Sequence, residues 1–178
     1  CGGIDMIGEH PYVKWAIKAI ETYVLSEMKA QPSSDLPEDL FVRTAACFVS
    51  LHTISGELRG CIGTIEPVYK SLCEEILENA ISAATKDPRF PPLSKNELDS
   101  IKVNVDILSS LEKTDSASSL NPKIYGVIVK SGWKKGVLLP DLEGVDTVEQ
   151  QLRIAKLKAG ILGNEKIELY RFTVQRYL

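Results

Sequence analysis

A thiol two residues from a guanidinium, in Leu58-Arg59-Gly60-Cys61-Ile62-Gly63, is the arrangement in this chain with the most chemical promise. On an extended strand that spacing places Arg59 and Cys61 on one face. A neighbouring cation favours the thiolate, the nucleophilic form. Ser55-Gly56 reads as the turn of a hairpin whose first strand carries Ser50 and His52. A loop of two or four residues centred there sets His52 opposite Arg59 and Ser50 opposite Cys61. One face is then Val49, Leu51, Leu58 and Ile62, and the other Ser50, His52, Glu57, Arg59 and Cys61. A three-residue loop mixes these sets, so hydrophobic patterning favours the even loop. In that register Cys61 is a candidate nucleophile, His52 its candidate base, Arg59 its activating cation and Ser50 a hydrogen-bond partner. Arg59→Ala is then expected to slow alkylation of Cys61 without unfolding the protein. The same residues also fit a small, buried structural cysteine, a common fate of a free thiol. Gly60 and Gly63 weaken a strand, and the usual reason for tolerating them is close approach of another backbone or a ligand.

Asp87-Pro88-Arg89-Phe90-Pro91-Pro92-Leu93 is a second candidate. It reads as a rigid loop offering the Arg89 fork to an anion. It reads equally as a helix stop in which Asp87 pairs with Arg89 and Phe90 plugs the core. Arg59, Gly60, Cys61, Gly63, Asp87 and Arg89 together make the candidate binding surface, a groove between hairpin and loop. Lys134, Lys135, Arg153, Lys156 and Lys158 form either a basic patch or a solvated helix face and hairpin tip. The chain has four cysteines without a Cys-x-x-Cys and two histidines, His10 and His52, far apart. That spacing does not suit a metal site, and no metal or cofactor is expected. No phosphate loop, dinucleotide fingerprint or Gly-x-Ser-x-Gly elbow occurs.

The elements that must position these residues follow from periodicity. Pro11, then Val13, Ala16, Ile17, Ile20, Val24 and Met28, predict a helix over 11–30, ended by the prolines and serines of 31–37. A strand over 43–53 and a return over 58–64 make the hairpin. A helix over 69–86 stops at Asp87-Pro88, because the residue before proline leaves the helical region. Ser94 and Thr147 each have capping-box spacing, to Glu97 and Gln150, and start helices. The second of these runs to about Lys158 and closes at Gly160. Ile101 to Ile107 is apolar at every odd position and polar at every even one, a strand with one buried and one wet face. Residues 125–130 and 136–139 flank another turn, and 167–177 reads as one final strand. Residues 109–122 are a serine-rich loop. Hairpins with helices between them give an α+β fold, mainly antiparallel sheet with flanking helices.

Composition bounds the rest. The 178 residues are 44% hydrophobic and 25% charged, with a mean hydropathy of -0.04, as in an ordinary globular protein. This length favours a single domain over two full-sized ones. A net charge of -3 argues against a dedicated nucleic-acid binder. No apolar stretch reaches the length of a membrane span and no signal peptide opens the chain, so the default expectation is a cytoplasmic protein. Residues 1–10 are expected to be a tag or linker remnant.

The hexad resembles the signature of the domain named after the AMME-syndrome candidate gene, the AMMECR-type family, known in prokaryotes as AmmeMemoRadiSam system protein A. Asp87 to Leu93, Val105 to Leu108, Lys135 to Pro140, Lys158 to Ile161 and Glu168 to Phe172 share that resemblance in the same order, so it spans nearly the whole chain. It implies an α+β protein with a larger and a smaller lobe. It also implies company with a Memo-like and a radical-SAM protein, and suspected importance of the hexad without an established reaction. Two functions stay open. One is a binding or adaptor module with a groove near the hairpin, which an incomplete acid–base constellation slightly favours. The other is a cysteine-dependent enzyme or enzyme subunit. A purely structural role for the signature is a third possibility.

Overall fold

The computed structural model describes residues 6–178, so Cys1 and the first half of the expected tag or linker lie outside the described residues. The second half of that segment is built into the fold. Met6 is buried, Ile7 exchanges two backbone hydrogen bonds with Ile101 and Val103, and His10 caps the first helix.

The chain divides into two compact units, as the expected larger and smaller lobes require. The larger runs up to Leu108 and takes back Gln175–Leu178, and the smaller is Ser109–Val174. In the larger unit β1 (Cys47–Thr53), β2 (Leu58–Gly63), β3 (Ile101–Leu108) and β8 (Val174–Tyr177) form a sheet in the order β2-β1-β3-β8. The pairs β1–β2 and β1–β3 are antiparallel. Helices α1 (Pro11–Ser26) and α3 (Leu72–Thr85) pack on its apolar face, with a one-turn helix α2 (Asp39–Val42) beside α3. The odd residues of β3, Ile101, Val103, Val105 and Ile107, meet Val49 and Leu51 of β1 and Trp15, Ile20 and Ile76 of the helices in one core. The Trp15 indole N–H donates to the Cys73 carbonyl at 2.9 Å, so its polar edge is satisfied inside that core.

Both helices are shorter than their periodicity suggests, for local reasons. α1 ends where Glu27 turns left-handed (φ 58°) and bonds back to Tyr23. α3 starts at Leu72 because Ser71 accepts the Glu74 amide as its cap. The Ser94 capping box forms as read, but opens a 3-10 turn, Lys95–Ser100.

The smaller unit holds β4 (Glu112–Thr114), β5 (Gly126–Ser131), β6 (Lys134–Leu138) and β7 (Glu168–Phe172) in the order β4-β7-β5-β6, all paired antiparallel. Helix α4 (Val148–Ala159) lies on β5 and β6, opened by the Thr147 capping box and closed by left-handed Gly160 (φ 72°). The segment 167–177, read as one strand, is two strands in two sheets: β7 ends at Phe172 and β8 resumes at Val174.

Candidate functional site

The hairpin keeps the predicted parity where it matters most and loses it one step away. Ser50 pairs with Cys61, Val49 with Ile62 and Leu51 with Gly60. The Ser50 hydroxyl donates to the Cys61 sulfur at 3.2 Å. Beyond Leu51 the register slips by one residue, so His52 faces Leu58 in place of Arg59. The loop 53–57 is odd, tied by the Thr53 amide to the Glu57 carbonyl at 2.8 Å. A bulge between Leu51/Gly60 and His52/Leu58 restores the even pattern, leaving Arg59 as the unpaired extra residue. Hydrophobic patterning fixes the far end of a register but does not reveal whether a turn or a bulge supplies the odd residue.

The bulge sends Arg59 away from the chemistry assigned to it. Its Nε and Nη2 reach the two oxygens of Glu97 at 2.9 and 3.1 Å, and Nη2 also donates to the Pro91 carbonyl at 3.0 Å. Arg59 is buried, and Glu97 is held below the ordinary carboxylate range chiefly by this hydrogen bond. The Phe90 ring is near two guanidiniums, Arg59 at 5.8 Å and Arg89 at 5.6 Å from its centre. Arg59 is thus a clasp for the segment after α3.

Asp87 and Arg89 close on β2 from its free edge. The Cys61 amide donates to Asp87 at 2.9 Å, and Arg89 reaches the Cys61 carbonyl at 3.4 Å. Arg89 also grips the Asp87 carboxylate through Nε at 3.0 Å and Nη2 at 2.8 Å. Asp87 is buried while the Arg89 side chain is 54% exposed. Hydrogen bonding to Arg89 drives the Asp87 carboxyl far below its usual range, and the Cys61 amide adds to the effect. Part of each reading meets here, since Asp87 pairs with Arg89 and the half-exposed guanidinium stands beside the hexad, but Phe90 is only half-buried and lies outside the core instead of plugging it. The Arg89 proton is held most strongly by Asp87, with a Coulombic contribution from Cys61. The guanidinium that reaches the Cys61 residue, through its carbonyl, is therefore that of Arg89. This clasp fastens the loop to the strand edge.

The glycines answer to packing. A Cβ on Gly60 would run into the Ala83 carbonyl of α3, and one on Gly63 into the Cys47 carbonyl and Phe48.

Sequence reasoning read the polar face of β3 as simply wet and gave it no part in a site. Ser50 pairs with Asn104, His52 with Lys102 and Phe48 with Asp106. The even residues of β3 therefore continue the Ser50–Cys61 face. That face is not uniformly wet, because Asp106 is fully buried and takes a two-pronged salt bridge from Arg176 of β8 at 2.8 and 2.9 Å. The signal was present as the polar half of the alternation, but nothing local tells a buried aspartate from a solvated one. His52 is pushed below the ordinary histidine value, first by burial and then by Arg176, which favours neutral imidazole. His52, Lys102 and Asn104 also line a cleft of about 480 Å³, together with Ile7, Gly8, Glu9 and Leu178. Among the described residues, no three His, Cys, Asp or Glu side chains converge as metal ligands would, and no helix is long and apolar enough to cross a membrane.

The comparisons with known proteins agree with this architecture. The AMMECR1 family model matches residues 13–177. A protein of Thermotoga maritima is 61% identical, covering 97% of this chain and 99% of its own length. One from Clostridium acetobutylicum is 45% identical over 94% of this chain, which spans only 36% of that longer relative. The crystal structure of an uncharacterized protein from Pyrococcus horikoshii superposes with a TM-score of 0.84 at 31% identity, covering 93% of this chain and 88% of that one. Family model, relatives and solved fold coincide over almost the whole sequence: the chain belongs to the AMMECR1 family.

Proposed function

We propose that this chain works as a non-catalytic binding module whose ligand lies on the polar face of the larger sheet, beside the Leu58–Gly63 hairpin. The observation that carries this reading is the cleft of about 480 Å³ with His52, Lys102 and Asn104 along it. That size suits a small molecule or the tip of a peptide, for which pockets run from about 300 to about 1,000 Å³. The other candidates support binding over turnover. Arg59 is committed to Glu97 and Asp87 to Arg89, and His52 sits beyond the bulge from Cys61. In this reading Gly60 and Gly63 shape the hairpin, and Asp87 and Arg89 brace it. The Memo-like and radical-SAM proteins implied by the resemblance are its proposed partners, in a cytoplasmic setting.

The cysteine-dependent alternative keeps one observation in its favour, the polar setting of Cys61, whose thiol takes the Ser50 hydroxyl and whose carbonyl takes the Arg89 guanidinium. The test is a fragment screen by NMR on the isotope-labelled protein, repeated with Asn104→Leu and Cys61→Ser. Amide shifts clustering at His52, Lys102 and Asn104, lost in Asn104→Leu and kept in Cys61→Ser, support the module. Fragments that bind elsewhere, or that engage only by reacting with Cys61, overturn it.

A further inference from the structure

Of the five basic residues gathered from the sequence, the fold occupies two and leaves others in a setting the proposed cleft does not explain. Lys134 is tied to Glu165 at 2.8 Å, and Lys158 donates to the Val137 carbonyl of β6 at 2.8 Å. Arg153 and Lys156, on α4, make no ion pair among the described residues. They border a cleft of about 470 Å³ in the smaller unit, walled by Leu152, Leu157, Ile161 and Leu162. Leu157 is 67% and Leu162 71% exposed, although the other side of α4, at Gln151 and Ala155, is buried. Positions 149, 152, 153, 156 and 157 fall on one helical stripe. Leu157 and Leu162 thus stand exposed at the rim of this cleft, whose stripe carries two cations that form no ion pair and a single carboxylate, Glu149, so basic groups outnumber acidic ones there.

We infer that this face of α4 is a docking surface for an acidic amphipathic segment of another protein, an apolar side chain seated between Leu157 and Leu162 and carboxylates on Arg153 and Lys156. Charge decides the occupant. An apolar cleft alone accepts any hydrophobic anchor, whereas the unpaired cations reward an anchor flanked by Asp or Glu and penalise one flanked by Lys. The surface lies wholly within the smaller unit and is independent of the cleft in the larger one.

The probes are two fluorescently labelled helical peptides with the same leucine stripe, one flanked by glutamates and the other by lysines. The glutamate peptide is expected to bind the full chain at least about tenfold more tightly than its twin, about 1.4 kcal/mol. Its amide shifts should cluster over 149–163, and its affinity should fall as ionic strength rises toward about 1 M, where screening reaches about 3 Å. Arg153→Glu with Lys156→Glu should reverse the preference, and Arg153→Gln with Lys156→Gln, which only neutralises, should abolish it. Arg153 is exposed and Lys156 half-buried, outside the core, so all four changes should leave the circular dichroism spectrum unchanged. Equal affinity for the two peptides, no binding of either, or shifts outside α4 and its following loop would overturn the inference. So would self-association in the ultracentrifuge that Leu157→Ser abolishes, since a second copy would then be the occupant.

Discussion

Cys61 differs from Cys47 and Cys73 in what surrounds its sulfur. Burial pushes the Cys47 thiol up to about 12 and the Cys73 thiol up to about 11, whereas Cys61 is half-buried, with a hydroxyl donor and a guanidinium nearby. Iodoacetamide near neutral pH is expected to label Cys61 well before the other two, as peptide mapping would read. Arg89→Leu should slow that labelling; equal rates at all three thiols would refute the assignment. Arg59→Ala should instead cost roughly 1–3 kcal/mol in urea denaturation, because it strips Glu97 of its bidentate partner. Asp87 gives a pH signature. Its folded value lies below the unfolded one of about 3.9, so the unfolded chain binds the proton first as pH falls. Asp87 therefore stabilises the fold fully above about pH 4 and progressively less below it. Asp87→Asn should flatten the acid limb of stability against pH, and an unchanged limb would count against the clasp. The Ser50–Cys61 contact was legible in the sequence because it depends on parity alone. The Arg59–Glu97 contact was not, since a guanidinium on a bulge can reach in several directions and its partner lies 38 residues away.

At the scale of elements, signals that need only a few neighbouring residues were readable. The Ser94 and Thr147 capping boxes, the Pro11 start, the Gly160 stop and the alternation of Ile101 to Ile107 each name their own hydrogen bonds or face. What failed was extent. Nothing in 167–177 marks Thr173 as the point where the chain leaves one sheet for another, because no glycine, proline or other turn residue interrupts the segment there. The hexad's glycines belong to this scale too, since each sits where a Cβ would meet a neighbouring backbone. Gly60→Val would press a branched side chain on the Ala83 carbonyl of α3, a backbone atom that can yield only if the helix shifts. A loss of roughly 3 kcal/mol or more is expected in chemical denaturation, above the usual cost of an overpacked side chain. A change below about 1 kcal/mol would mean that α3 is free to move.

For the whole molecule, the decisive feature is that the smaller unit lies between β3 and β8 in the chain, so the larger unit is completed only by Gln175–Leu178. The Arg176–Asp106 salt bridge is what those residues contribute electrostatically. Arg176→Met should destabilise by about 2–3 kcal/mol, at the lower end for a broken buried pair because the guanidinium is 36% exposed. Asp106→Leu combined with Arg176→Met should recover part of that loss, and full additivity of the two substitutions would refute the coupling. The order of synthesis on the ribosome then has a consequence. As the chain emerges, β1, β2 and β3 are made long before their fourth partner, while every residue of the smaller unit is already available to fold. Asp106 must wait through 69 further residues for its counter-ion (residues 107 to 175), keeping a carboxylate at a sheet edge that cannot be sealed. The larger sheet therefore cannot take up its fourth strand until the whole smaller unit has been synthesised.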